Sequence, residues 1–331
     1  MPKFCVQEIS QYRTELMGVA TLLVIMGHSA ANGVVMPGWM ESLCGLASVG
    51  VDIFLLVSGL GLWYSLGSAE ETHWGGVIDW YRRRYKRILV PYLLIEGFSN
   101  ILAITRGGSV LTALLNISTV NYWLNHQGAW YIAMLIPLYA ITPAYDMFLK
   151  KVRQPVLFTF GLVIAIVGLS SVYVPIADVA ITNIQENIRH VAVHLPPFFI
   201  GFMLAPMAKE QKNVSLFWMM IVPLLITVTM KFLHFGYWPG FLVFIFVPIL
   251  CWVIKHGGKM INSILEFFGK ISLESYLFNT TVGSWIIAYL PFIYYSTWNK
   301  GCYLHYALVC VIGTLLAYMV HQLCKKVFFK S

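Results

Sequence analysis

Ten long apolar stretches constrain the fold of this chain more than any other feature of its sequence. A bilayer core about 30 Å thick needs roughly 20 helical residues to cross it. Stretches near that length lie at residues 14–34, 46–66, 88–104, 129–149, 155–173, 190–208, 215–233, 237–255, 272–290 and 303–324. We therefore predict an all-α polytopic membrane bundle of about ten transmembrane helices, in which residues 1–331 form a single domain with no fused soluble domain.

The distribution of basic residues tests this set of spans independently. Only 11% of the residues are charged, where a soluble protein has about 25%. Lys and Arg concentrate on loops that face the cytoplasm. With the ten spans above, 18 of the 22 basic residues fall at the termini or in alternate loops. The pattern predicts an even number of spans with both termini in the cytoplasm.

The same distribution bears on the partners of the chain. The net charge of +8 arises from loops beside the membrane, so it indicates contact with lipids or anionic ligands and not with nucleic acid. The six cysteines form no CxxC pair and no Cys/His spacing typical of a metal site, so we expect neither a metal nor a disulfide framework. A homo-oligomer is compatible with the sequence.

A histidine lies deep in the first apolar stretch. His28 follows Arg13 by 15 residues, which places it about 22 Å along a helix, in the outer half of the membrane. Ionisable residues inside a membrane usually mark a pathway or a site, and a neutral imidazole is a common general base. A structural hydrogen bond between helices is the alternative. Asp52 lies at a similar depth in the second stretch, where it could orient the imidazole of His28 or simply begin a helix.

A basic run precedes the third apolar stretch. It reads YRRRYKR at residues 81–87. Because a guanidinium group suits phosphate oxygens, Arg83, Arg84 and Arg87 are candidates to bind a phosphorylated ligand from the cytoplasm. The alternative is that these charges orient the span and contact anionic lipid headgroups.

Three further polar or aromatic residues are candidates for a binding cavity. Glu96 lies within the third stretch and needs a partner or a proton there. Asn279 lies in the ninth stretch, and its amide could line a cavity. Trp130 begins the fourth stretch, where an aromatic belt residue is the simplest interpretation. The other histidines, including His190 and His194, lie in loops or near span ends, where we expect solvation.

Several of these segments, in this order and spacing, resemble the acyltransferase 3 family of bacterial membrane acyltransferases. They are the first stretch with His28, GVDIFLLVSG at 50–59, RYKRILVP at 84–91, WYI at 130–132, and GKISLESYL at 269–277. The resemblance implies a ten-helix domain that transfers an acyl group, usually acetyl from acetyl-CoA. The acceptor in this family is a hydroxyl of a cell-envelope glycan or of a lipid-linked sugar.

The resemblance also implies roles for individual residues. His28 corresponds to the essential histidine of the first span, Asp52 to the acid of the second, and Arg84 and Arg87 to the Arg-x-x-Arg pair that meets the donor. Many members carry Arg next to the first-span Gly, where this chain has Met17, and Arg13 one turn earlier takes that place.

Two more positions depart from the family pattern, and both concern the acceptor. No acidic residue follows Trp130 closely, and Asn279 stands where a histidine is common. We still assign Arg13, Trp130, Asn279 and Glu96 to substrate binding.

We therefore predict an acetyl-CoA-dependent O-acetyltransferase of the bacterial cytoplasmic membrane that needs no metal. In this interpretation the donor phosphates bind Arg83, Arg84 and Arg87, and His28 acts as general base with Asp52 beside it. A proton-coupled transporter or flippase that uses His28, Asp52 and Glu96 is the alternative from a different class. A third hypothesis is an inactive relative that acts only through interactions.

Overall fold

The computed structural model describes residues 2–70, 74–233, 239–296 and 299–329. Helices dominate these ranges, because the lipid phase offers no partner for a backbone N–H or C=O group outside regular structure. The helices are α1 Gln7–Gln11, α2 Arg13–Ala31, α3 Gly38–Leu46, α4 Val49–Glu70, α5 Trp74–Thr105, α6 Val110–Ile117, α7 Val120–Asn125, α8 Trp130–Lys151, α9 Pro155–Ser171, α10 Val179–Lys209, α11 Leu216–Phe232, α12 Val243–His256, α13 Lys259–Lys270, α14 Ser272–Tyr289, α15 Pro291–Tyr294 and α16 Tyr303–Val327.

The predicted class of fold is confirmed, since each predicted span falls largely on a helix. Among the described residues, six helical segments are long and apolar enough to cross a membrane. They are Arg13–Ala31, Gly38–Gly67, Gly75–Thr105, Trp130–Lys151, Val179–Lys209 and Lys300–Val327. Three shorter apolar helices cover Pro155–Ser171, Leu216–Phe232 and Gly240–His256. The number of about ten spans stays a prediction, and residues 237–238 of the predicted eighth span lie outside the described residues.

Some helices extend well beyond the apolar stretches that predicted them. Helix α5 begins at Trp74 and α10 at Val179, whereas the corresponding apolar stretches begin at residues 88 and 190. Hydropathy marks only the lipid-covered part of a helix, and Arg and Lys are themselves good helix formers. The basic run at 81–87 therefore lies on a helix and not in a loop.

Two glycines bring α4 and α10 into backbone contact. A Cβ atom on Gly59 would lie 2.1 Å from the carbonyl oxygen of Phe198, and one on Gly201 would lie 2.1 Å from that of Leu56. Lipid tails are as apolar as leucine, so helices associate in a membrane largely through such close packing. This contact fixes the two helices that carry the Asp52–His194 pair described below.

A short antiparallel sheet, which the sequence does not predict, joins the N-terminus to the α10–α11 connection. Strand β1 (Lys3–Cys5) pairs with β2 (Asn213–Ser215). Helix α1 follows β1, and the carboxylate of Glu8 accepts a 2.8 Å ion-pair hydrogen bond from Lys255 at the end of α12. The segment thereby covers the end of the bundle at which α2 begins, which we call the basic end.

Candidate functional site

The structure joins the first-span histidine to an asparagine 251 residues later in the chain. Nδ1 of His28 lies 2.7 Å from Oδ1 of Asn279, across the interface between α2 and α14. Asn279 is 2% exposed. The sequence predicts that Asn279 lines a cavity and binds substrate, and it does not predict the direct bond to His28 that the fold adds to this site.

The surrounding hydrogen bonds determine which nitrogen of His28 carries a proton. The Tyr306 hydroxyl donates to the backbone carbonyl of Ile25 and also bonds the Asn279 side chain. Because the hydroxyl proton is used on Ile25, the Asn279 amide N–H must donate to Tyr306. Its Oδ1 then faces His28 and accepts the Nδ1–H, which leaves the lone pair on Nε2. An imidazole held in this tautomer is competent as a general base.

Asp52 does not pair with His28, and that expectation was wrong. Oδ1 of Asp52 lies 2.8 Å from Nδ1 of His194 on α10, and the two residues are 0% and 3% exposed. The physical reason lies on α4 itself. Gly50 packs on the Ala20 carbonyl of α2, and a residue two positions further on points to the opposite side of the helix, roughly 200° around. Similar depth in the membrane therefore did not bring Asp52 to His28.

A cluster of aromatic and imidazole rings surrounds the Asp52–His194 pair. The ring of Trp130 lies 4.7 Å from that of His190 and 5.3 Å from that of His194, centroid to centroid. His126 lies 6.3 Å from His190, and both are exposed. We call these five residues the outer cluster. We expected solvent to surround His194, and its burial corrects that interpretation. The one feature of the sequence that pointed to His194 is its spacing of one helical turn from His190.

Neither the outer cluster nor any other group of described residues could hold a metal ion through three or more His, Cys, Asp or Glu side chains.

Tyr122 lies next to the outer cluster. Burial raises its pKa to about 12, so the phenol stays protonated at neutral pH. Tyr122 contacts the ring of His126 at 5.8 Å. Apart from Asp52, the outer cluster therefore consists of indole and imidazole rings, with a protonated phenol beside it.

Two tyrosines connect His28 to the neighbourhood of Trp130. The ring of Tyr276 lies 6.0 Å from His28 and 5.4 Å from Tyr131. The Tyr276 hydroxyl bonds the backbone of Tyr131 and interacts electrostatically with Glu96. Glu96 therefore lies close to the His28 site, although no contact joins it directly to the imidazole. Trp130 adjoins the opposite side of Tyr131, at 6.1 Å.

Three arginines converge at the basic end of the bundle. The guanidinium groups of Arg13, Arg84 and Arg87 interact electrostatically with one another and with Tyr139, which is 9% exposed. The Arg13 guanidinium lies so close to α4 that a Cβ on Gly61 would be 2.7 Å from its Cζ. We call these three arginines the arginine cluster. Arg83 and Arg87 are both exposed, and Arg83 interacts electrostatically with Arg84.

The position of α5 explains why these charges meet. The hydroxyls of Tyr81 and Tyr85 donate to the carbonyls of Ala140 and Ile136 on α8, at 2.7 and 2.8 Å. Residues four apart share a helix face, so α8 holds α5 in one orientation.

Within the described residues, no carboxylate forms an ion pair with the arginine cluster. Nε of Arg13 is buried there without a hydrogen-bond partner among them.

A line of buried tyrosines leads from the arginine cluster toward His28. Tyr131 interacts electrostatically with Tyr139 on one side and with Tyr276 on the other. Tyr139 interacts electrostatically with the arginine cluster, and the ring of Tyr276 lies next to that of His28. The structure thus places the arginine cluster, which has no ion-pair partner among the described residues, and the His28–Asn279 pair at the two ends of one line of tyrosines.

The fold and these features define a polytopic helical membrane protein with a polar interior. A family model described as an acyltransferase domain, acyltransferase 3, matches residues 16–322. The chain therefore belongs to the acyltransferase 3 family, and its general activity is the transfer of acyl groups. Among curated proteins and among solved structures, nothing matches the chain.

Proposed function

We propose that the protein is an O-acyltransferase that moves an acyl group, acetyl in the first instance, from acyl-CoA to a hydroxyl of a cell-envelope glycan or lipid-linked sugar. The membrane in question would be the cytoplasmic membrane of a bacterium. The 2.7 Å bond between His28 and Asn279 carries the proposal, because it prepares a base inside a chain that belongs to an acyltransferase family.

The arginine cluster supports CoA as the donor. CoA is a cytosolic polyanion with a pyrophosphate and a further phosphate, and arginine binds phosphate through paired N–H donors. Arg13, Arg84 and Arg87 repel one another as long as no anion lies among them. An anion that bound there would remove this repulsion and would satisfy the buried Nε of Arg13. Arg83, on the exposed side of α5, would extend the phosphate contact.

The tyrosine line supports a path for the pantetheine arm. Arg13 and His28 lie at opposite ends of α2, about 22 Å apart along the helix. The hydroxyls of Tyr139, Tyr131 and Tyr276 mark a polar route between them. In this proposal the arm follows the route and presents its thioester to His28.

Each residue then has a defined part in the transfer. Nε2 of His28 removes the proton of the acceptor hydroxyl while the hydroxyl oxygen attacks the thioester carbonyl. The new C–O bond forms as the C–S bond breaks, and the proton on His28 passes to the departing sulfur, so that CoA leaves as the thiol. Asn279 holds the Nδ1–H and stabilises the imidazolium during the transfer, as the third member of a triad does.

The outer cluster favours a second candidate function. A fully buried carboxylate bonded to a histidine, with exposed imidazoles next to it, is an arrangement suited to carrying protons. A proton-coupled transporter would use Asp52 and His194 in this way and would not bind CoA.

Binding of acetyl-CoA to the detergent-purified protein tests the proposal. We expect binding that weakens with added salt, that is lost in Arg84→Ala/Arg87→Ala, and that persists in His28→Ala. Lys325→Ala/Lys326→Ala is the matched control, because it removes two exposed charges at the end of α16 and should leave binding unchanged. A folded wild-type protein that binds no acetyl-CoA would overturn the proposal and favour the transporter.

A further inference from the structure

A second histidine near the site has a buried imidazole without a hydrogen bond to any described residue. His305, the third residue of α16, is 0% exposed, and neither ring nitrogen has a partner among the described residues. Its ring forms a T-shaped pair with that of Tyr294, with 5.0 Å between the ring centroids. A buried polar group of this kind is rare in folded proteins and asks for an explanation such as a ligand, a water or a catalytic role.

The location of His305 points to the site. A Cβ atom on Gly283 would lie 2.4 Å from Oδ1 of Asn32 and 3.6 Å from Nε2 of His305. The two polar atoms are therefore at most about 6 Å apart, twice the length of a hydrogen bond. One oxygen atom between them could bond both. Glycine at position 283 is what leaves room for this approach.

This pair of side chains forms a layer directly above the proposed base. Asn32 follows His28 by four residues at the end of α2, and Gly283 follows Asn279 by four residues on α14. The Nδ2–H of Asn32 donates to the backbone carbonyl of His28 at 2.8 Å. The layer of Asn32 and His305 thus lies about one helical turn, roughly 6 Å, beyond the layer of His28 and Asn279, on the side away from the arginine cluster.

We propose that His305 and Asn32 form a subsite that binds a second hydroxyl of the acceptor while the first reaches Nε2 of His28. The proposal rests on the proposed function and narrows its substrate class. The acceptor would be a polyhydroxylated ring or chain with two hydroxyls on well-separated carbons, and a molecule with one hydroxyl would be a poor substitute. Such an acceptor would satisfy an imidazole that the described residues leave without a hydrogen-bond partner.

Two simple alcohols of equal ring size test the subsite. Cyclohexanol and trans-cyclohexane-1,4-diol are supplied at equal concentration with radiolabelled acetyl-CoA, and the ester formed is measured beside the CoA thiol released. We expect wild type to form about tenfold more ester with the diol, the effect of one added hydrogen bond. His305→Phe and Asn32→Ala should each lose this preference while CoA binding persists, and His305→Gln should keep part of it.

A matched control and a stability readout separate a binding role from a structural one. His256→Phe changes an exposed histidine on α12 and should leave the preference unchanged. Replacing the unsatisfied imidazole of His305 with an apolar ring should raise the melting temperature, because a buried polar group without partners destabilises the fold. Gly283→Ala should remove the preference as well, since its Cβ displaces Asn32.

The outcomes are distinguishable from failure of the acyltransferase proposal. Equal ester yields from the two alcohols in wild type would overturn the subsite and leave the acyltransferase intact. Thiol release with no ester from either alcohol would also overturn the subsite, because the acyl group would then pass to water. A preference that survives in His305→Phe would also overturn it and would indicate that a water alone occupies the gap. Absence of both CoA binding and thiol release would overturn the proposed function itself.

Discussion

Replacement of Asn279 by alanine is the perturbation for which the structure gives the clearest magnitude. The side chain accepts the Nδ1–H of His28 at 2.7 Å and is 2% exposed. Loss of one partner of a buried hydrogen bond costs about 1–3 kcal/mol. The bond gains strength when the imidazole becomes a cation in the transition state. We therefore expect kcat/KM for acyl transfer to fall between about fivefold and 150-fold.

The assay is the initial rate of CoA-thiol release from acetyl-CoA by protein purified in detergent. Asn279→Asp keeps an acceptor atom for the Nδ1–H and should lose less activity than Asn279→Ala. Tyr306→Phe removes the group that fixes the Asn279 amide, so we expect a smaller loss, on the order of a few-fold. Asn100→Ala is the matched control, because Asn100 is another buried asparagine whose amide bonds a backbone carbonyl, that of Glu96, and does not contact His28.

A double-mutant cycle decides whether the effect of Asn279 passes through His28. If Asn279 acts only by holding the imidazole, Asn279→Ala should have no further effect in a His28→Gln background. The reasoning would be refuted by full activity in Asn279→Ala. It would be refuted equally by a loss of the same size with and without His28.

Two further predictions concern the framework that holds the site. Gly201→Ala should lower stability by about 1–3 kcal/mol through overpacking, because its Cβ would lie 2.1 Å from the carbonyl of Leu56. Gly67→Ala, which meets nothing within 4 Å, is the control, and equal melting temperatures for the two variants would contradict the close contact. His194→Ala removes one partner of a buried pair with Asp52 and should destabilise by about 3–5 kcal/mol; an unchanged melting temperature would show that the pair is not a structural element.

The helices could be predicted from the sequence because the signal is local. An apolar stretch of bilayer length favours a helix whatever lies next to it, and α2, α8 and α16 begin and end close to the predicted limits. The extensions of α5 and α10 could not be predicted in this way. Their first turns lie outside the apolar stretches, and tertiary contacts such as Tyr81 on the Ala140 carbonyl hold them.

The candidate site was predictable in its residues but not in its pairings. His28 and Asp52 stand out because an ionisable group in lipid is costly wherever it occurs. Their partners, Asn279 and His194, depend on which helix faces which, and that is set by glycine contacts between distant segments. For this reason the sequence left the partner of Asp52 open and did not indicate His194. The burial of His305 likewise depends on Tyr294 and the loop beside it, which no local pattern records.

The convergence of Arg13 with Arg84 and Arg87 could be predicted from the sequence only in part. The family resemblance provided a reason to expect a basic residue near position 17. Arg13 can take that place, because residues 13 and 17 are four apart and lie on the same face of a helix. The structure adds that α2 and α5 bring all three guanidinium groups near Tyr139, although some 70 residues of sequence separate Arg13 from the other two, and spacing alone does not predict this.

The rate of CoA-thiol release by His28→Gln, measured where acetyl-CoA binding is intact, tests the central claim most directly. His321→Gln is the matched control, since His321 bonds Glu274 at 3.1 Å and has no part in the proposed transfer. We predict that His28→Gln binds acetyl-CoA as wild type does but releases thiol at least about 100-fold more slowly, the lower range of general-base catalysis. Thiol release at the wild-type rate by His28→Gln would contradict the assignment of His28 as the base.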